Sequence, residues 1–368
     1  MTNSEIFHNE IMSRGGRFQR QSAPENVKRV YKAVEERAQD LIRAARRVLP
    51  NLPEIHLDFI LNGKINAVAF RSKERYFIGL HTGTLFMLRS VIGRTLSDSR
   101  LFQRVGDPKA ERSDLGPLTD YVPNGEVMYK REALFTPNDR IRRAYAEFLQ
   151  DQAILFLVGH ELTHITHGHV DYLRAKRGQV ATVELGWSEK RNPEERLERQ
   201  CLEADADRRS IFSRIDSLRV TFDKPNPPAV PWRPTLEHPT EMILDWAVSV
   251  NILFRLFGDV RFSRTDLADS VYPPLPLRRM MCEAAAFWAV GRIWGPEFNR
   301  FAGQALQTAR NEAELTFATM LGEDVKLDGL RAAFSDVGTE HARRLDDYWN
   351  TTLVEQLRPY SYELQAGR

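Results

Sequence analysis

Only two cysteines, Cys201 and Cys282, stand in the 368 residues. That is too few for a disulfide framework, and a reducing, cytoplasmic setting is expected. Long apolar runs are missing as well. The most apolar stretches, QAILFLVG, WAVSVNILF and AAAFWAVG, are closed off by charge well short of the roughly 20 residues that a membrane helix needs. The opening MTNSEIFHNEIMSRGGRFQRQ has no apolar core of signal-peptide length. Excess charge is absent too. With 52 Lys and Arg against 50 Asp and Glu, the net charge of +2 gives no field that favours nucleic acid or a membrane surface. No repeat of solenoid period and no low-complexity segment occurs. What is left, 42% apolar and 28% charged, is ordinary globular composition for one large domain or two small ones.

Residues 1–24 are polar and Gly/Arg-rich and read as a flexible tail. From Pro24 onward Val27, Val30, Tyr31, Val34, Ala38, Leu41, Ile42, Ala45, Val48 and Leu49 recur at helical spacing, until NLP ends the helix. Three short β-rich runs follow, IHLDFIL, INAVAF and RYFIGL. NGK and RSKE separate them, which predicts antiparallel strands with tight turns. TGTLFMLRSVIGRTL reads as a helix. Residues 97–125 read as a turn-rich insertion, closing in a hairpin around YVPNGEVMY. One long helix is expected over 139–167, a mobile connection over 176–195, and a second helix over about 196–215. DKPNPPAVPWRPTLEHP is a proline-rich linker, and helices are expected at 240–257, 276–293, 297–320 and 328–357. The fold class is therefore α+β and mostly helical. A domain over 25–290 is expected, followed by a helical C-terminal extension over 291–368. Trp246, Phe254, Phe257, Phe287, Trp288, Trp294, Phe298 and Phe301 lie at spacings that make most of them core.

Four of the nine histidines crowd into LVGHELTHITHGHVDYL, residues 157–173. On a helix His160 and His164 share a face one turn apart, close enough to hold one metal ion. Glu161 then stands beside that ion without ligating it. This is the H-E-x-x-H arrangement, in which two imidazoles bind zinc and the glutamate serves as general base. The preceding AILFLVG is almost wholly apolar, so the helix is buried. Buried His, Glu and His side chains cost several kcal/mol unless something satisfies them. A tetrahedral catalytic zinc needs a third protein ligand. His167 lies about 10.5 Å along the axis from His160, beyond comfortable reach, and His169 follows Gly168, which ends the helix. A carboxylate from LEADADRRS is the remaining source. Glu203 and Asp207 are again four apart: Glu203 completes the sphere, and Asp207 accepts the second ring N–H of a ligand histidine. Asp205 or Asp207 as the ligand is the alternative within the same segment.

These motifs resemble the gluzincin peptidases, most of all the CAAX prenyl protease and HtpX group. There the metal helix reads H-E-x-x-H-x-x-x-G followed by His or Asp; here His160, Glu161, His164, Gly168 and His169 stand in place. Glu203, Ala206 and Asp207 match the second motif, E-x-x-A-D. VYPPLPLRRM is similar to a third, H-P-P-x-x-x-R, through Pro273, Pro274 and Arg278, with Tyr272 where the group has histidine. INAVAF and YFIGLHTGTL are similar to the strand and strand-to-helix step upstream. The resemblance spans roughly 55–290 with long gaps. It implies a zincin-like core, a small twisted sheet over two metal-carrying helices, and a zinc-dependent peptidase without that group's membrane helices. Antitoxin-cleaving and phage-exclusion proteases are near alternatives. The metzincin pattern is excluded, since His167 and Val170 stand where it needs Gly and His.

The expected chemistry is hydrolysis of a peptide bond in a protein or peptide substrate. Zn2+ on His160, His164 and Glu203 activates a water, and Glu161 takes its proton and delivers it to the leaving amine. An oxyanion donor is still needed: Tyr272, supported by Arg278, is favoured over His238. The INAVAF strand or the 121–129 hairpin is the expected sheet edge for an extended substrate. Two competing readings are a zinc-stabilised regulatory protein without turnover and a helical interaction protein built on the C-terminal half. Cys201, two residues before Glu203, is either a redox-sensitive or zinc-competing thiol or a plain buried cysteine.

Overall fold

A computed structural model describes residues 1–117, 134–177, 181–183, 192–222, 230–233, 239–258, 262–325 and 327–366. The expected 121–129 hairpin and His238 lie outside the described residues. The elements run α1 (Asn3–Glu10), α2 (Glu25–Val48), β1 (Ile55–Ile60), β2 (Ala67–Ser72), β3 (Arg75–His81), α3 (Thr82–Leu96), α4 (Arg140–Thr166), α5 (His169–Arg177), β4 (Ala181–Val183) and α6 (Pro193–Phe222). They continue through α7 (Pro239–Phe257), α8 (Arg264–Asp269), α9 (Leu275–Trp294), α10 (Asn299–Leu321), α11 (Asp328–Ala333), α12 (Asp336–Tyr348), α13 (Val354–Leu357) and α14 (Tyr362–Ala366). Among the described residues the chain is mostly helical with one small sheet.

The sheet order is β1-β3-β2-β4. β2 and β3 form the expected hairpin, with Lys73 and Glu74 both at positive φ in its two-residue turn, the backbone that matches strand twist. β1 departs from the all-antiparallel expectation: it pairs with β3 in parallel, from Ile55 beside Tyr76 to Ile60 beside His81. β4, inside the expected mobile connection, pairs antiparallel with Val68, Ala69 and Phe70 of β2. The INAVAF strand is thus interior to the sheet, and the expected substrate edge is not there.

Both faces of the sheet are covered. On one lie the apolar faces of α2, α3 and α4, continuous with Trp246 and Phe254 of α7 and with Leu306 and Phe317 of α10. Leu306 and Phe317, in the helical extension expected over 291–368, thus share this core. On the other face, Ile6, Phe7 and Ile11 pack against Ile60, Val68, Phe70 and Phe77. The N-terminal segment is accordingly not a loose tail: α1 has a Thr2–Glu5 capping box. Behind it Phe18 N–H donates to the Phe59 carbonyl at 2.8 Å and Leu61 N–H to the Gly16 carbonyl at 2.9 Å, along the outer side of β1. Of the aromatic set, Trp246, Phe254 and Phe257 are core, whereas Phe287, Trp288 and Phe301 are exposed.

The first part of the expected insertion loop is ordered around one side chain. Arg142, wholly buried in α4, donates from its guanidinium to the carbonyls of Leu96, Asp98, Leu101, Phe102 and Val105 at 2.8–3.1 Å. All five N–H donors of the group are used. Among the described residues no helix is long and apolar enough to cross a membrane.

Candidate metal centre

Two helices bring the site together. α4 starts at an Asp139 cap that accepts from Arg142 N–H and carries His160, Glu161 and His164 into the core. α6 crosses it at Gly159, where an added Cβ would lie 2.6 Å from Ser210 Oγ. Ser210 Oγ in turn donates to the Phe156 carbonyl at 2.8 Å. A larger residue at 159 would push the helices apart, so this contact sets how closely Glu203 approaches the two histidines.

His160, His164 and Glu203 converge. His160 Nε2 and His164 Nε2 are 3.0 Å apart, and Glu203 oxygens lie 3.3 Å from the first and 3.6 Å from the second. All three residues are buried, and Glu203 Oε2 accepts no hydrogen bond among the described residues. Ligands about 2.0–2.1 Å from a tetrahedral zinc stand about 3.3 Å from one another, and the three donors match that spacing.

Proton accounting makes the match chemical. His160 Nδ1 lies 2.9 Å from Asp207 Oδ1, so this nitrogen carries the proton and Nε2 keeps its lone pair. His169 Nε2 lies 3.2 Å from Asp205 Oδ2, an electrostatic contact outside hydrogen-bond geometry; the carboxylate favours the proton on that nitrogen, which leaves His169 Nδ1 as the acceptor. His164 Nδ1, 2.9 Å from His169 Nδ1, is then the donor, and His164 Nε2 also keeps a lone pair. Burial holds both His164 and His169 below the ordinary imidazole range, hence neutral. Two lone pairs and a carboxylate oxygen converge among buried side chains, an arrangement that a cation satisfies.

Asp207 stands where the sequence expects it, behind His160. Burial pushes its carboxyl up, but the Arg278 guanidinium and His160 outweigh this and hold it below the ordinary range. Arg278 is wholly buried and donates to Asp207 from Nε and Nη2, both at 2.8 Å. It was expected to support an oxyanion; the structure places it against Asp207 and, through Nη1, 3.7 Å from Glu203 Oε2. Tyr272 is half-buried just ahead of α9, its carbonyl accepting from Ser270 Oγ at 2.5 Å. Cys201 is buried on another face, its thiol pushed up to about 12 by burial, and so inert.

Two residues that the sequence reading left out of the site belong beside it. His169, set aside as lying past the helix end, is the partner of His164. Arg14, in the segment read as a tail, is half-buried; burial pulls its guanidinium below the ordinary range, while the nearby Tyr272 and Glu161 pull it up. Its place is fixed by Asn62 Nδ2, which donates to the Arg14 carbonyl at 2.8 Å. The crowding of histidines was a signal for His169. Nothing local marks Arg14.

No family model, curated protein or solved structure matches the chain. The likeness to gluzincins rests on the motifs alone.

Proposed function

We propose that this protein is a zinc-dependent endopeptidase acting on protein or peptide substrates in the cytoplasm. The observation that carries the metal is the convergence of two imidazole lone pairs and a buried carboxylate at 3.0–3.6 Å. Nitrogen and oxygen donors at this spacing suit zinc, and three protein ligands leave a position open, as catalytic sites do. When bound there, zinc supplies Lewis acidity and brings the acidity of a water toward neutrality.

The chain's own residues supply the rest. Glu161, 1% exposed and next to His160, takes a proton from the attacking water and hands it to the leaving amine. A base has no use at a purely structural metal site, and this favours an enzyme over a zinc-stabilised binding protein. Asp207 and Arg278 hold His160 in the ligating tautomer. Tyr272 is assigned to the developing oxyanion, with Arg278 in support and the charge of Arg14 acting on the same region. An extended substrate adds to the sheet at β4, the outer strand beside β2.

The test is a peptide-library digest with wild type, chelator-treated wild type and Glu161→Gln. Removing a general base costs about 10²–10⁴ in rate. Wild type is expected to cleave, chelation to abolish cleavage, and Glu161→Gln to retain zinc while losing turnover by that factor. Cleavage by Glu161→Gln at the wild-type rate contradicts the assignment, and no cleavage by any form favours the binding protein.

A further inference from the structure

The turn that ends α4 is held from the far end of the chain. Ser361 Oγ donates to the Thr166 carbonyl at 3.1 Å. Gly168, at φ +79°, has no room for a side chain, since a Cβ there would lie 2.5 Å from the Tyr360 carbonyl carbon. Glu363 accepts from His167 Nε2 at 3.1 Å, and Arg209 pairs with its other oxygen. Trp349, in the π-helical turn Trp349–Leu353, sets its ring against His167 and His169, with centroids 6.3 and 6.4 Å away.

His167, His169 and Asp205 are themselves a buried group with ligand atoms within 4.8 Å of one another, and a second metal ion is the obvious alternative. The distances favour hydrogen bonds. His167 Nδ1 is 2.6 Å from Asp205 Oδ2, shorter than the roughly 3.3 Å between two ligands of a tetrahedral ion. His167 faces a carboxylate from both ring nitrogens. It is an imidazolium, which has no lone pair to give a metal. The contacts are continuous: His164 donates to His169, His169 Nε2 stands in electrostatic contact with Asp205 at 3.2 Å, and His167 donates to both Asp205 and Glu363.

We propose that His169 is a positioning residue for the ligand His164, and that residues 360–364, acting through Glu363, His167 and Asp205, thereby set the affinity of the metal centre. This rests on the metal reading given above. A ligand imidazole free to rotate must be reordered when the ion binds. One fixed by an acceptor on its second nitrogen is not, and outer-shell partners of this kind are worth about 10–100-fold in metal affinity.

Zinc affinity and stoichiometry measured by chelator competition test this, with full-length chains and the thermal unfolding of each metal-free form as the folding control. His169→Leu removes the acceptor for His164 and is expected to weaken zinc binding about 10–100-fold. His169→Asn keeps an acceptor where Nδ1 sits and is expected to recover most of that loss. Glu363→Gln reads the same chain from its far end, with an expected weakening of at least about threefold, and serves where His169→Leu fails to fold. A Co2+-loaded wild type should show the intense visible bands of a tetrahedral ion, with altered band positions in His169→Leu. Unchanged affinity in both His169→Leu and Glu363→Gln overturns the inference and leaves the metal centre standing. Two ions per wild-type chain, one of them lost in His169→Leu, also overturns it, because the second group is then a site of its own. Absence of any zinc binding by wild type removes the metal reading itself, and the inference with it.

Discussion

Asp207 Oδ1 lies 2.9 Å from His160 Nδ1 and 2.8 Å from Arg278 Nη2. One carboxylate oxygen thus joins the imidazole of a proposed metal ligand to a wholly buried guanidinium, and the two partners make different claims on it. For His160 the carboxylate fixes the tautomer; for Arg278 it supplies the counter-charge that makes burial tolerable.

Asp207→Ala is expected to separate these roles. Zinc affinity should fall about 10–100-fold, as for other outer-shell partners. Stability should fall by about 3–5 kcal/mol, since breaking a buried pair strands the other charge. Adding Arg278→Met removes the stranded charge and should restore much of the stability, but none of the zinc affinity. Chelator competition and urea unfolding on the single and double variants check this. Recovery of both properties together contradicts it.

Arg142 has no part in the chemistry but organises residues 96–105. Arg142→Met leaves five buried carbonyls without their donor. At about 1–3 kcal/mol for an unsatisfied buried group, offset by partial relaxation, a loss of about 3–5 kcal/mol is expected. Limited proteolysis should then cut first within 97–117. A loss within the ordinary scatter of surface substitutions is the contrary result.

His167 gives the metal-free protein a pH signature. Burial pulls this imidazole down, but Asp205 and Glu363 outweigh burial and raise it to about 10, with His169 and Trp349 against its ring and Arg209 behind Glu363. A group whose folded value is raised lends stability that is fully present below its unfolded value, about 6.5, and lost as pH rises through about 10. Urea unfolding of the metal-free protein should therefore show stability declining between those limits. Glu363→Gln should show a shallower decline, and equal slopes would contradict the assignment.

The grouping of side chains at the candidate metal centre was legible where it is local. His160 with His164, and Glu203 with Asp207, are spaced one helical turn apart, and a helix fixes which side chains share a face. The apolar run before His160 added that the face is buried. What was not legible depends on contacts distant in sequence. Nothing in IHLDFIL says that β3 will lie between β1 and β2, so the parallel pairing was missed. Neighbouring residues of β3 such as Tyr76, Phe77 and Ile78 are all buried, which requires a cover on both faces. That was a hint that residues 1–24 fold, but α1 has only eight residues, and its burial is set by the sheet beneath it. His169 follows Gly168, which ends the helix, and local spacing gives no sign that a residue past that end turns back onto it. Arg14 and Arg142 are two among 52 basic residues, with no local pattern to single them out.

Metal content bears most directly on the central claim. Protein purified without chelators and analysed for elements should contain about one zinc per chain, as expected of a single catalytic site, with His164→Ala and Glu203→Ala both losing it while remaining folded. Wild type that is free of divalent metal and takes up none on dialysis against zinc, or variants that keep the full wild-type complement, would contradict the account.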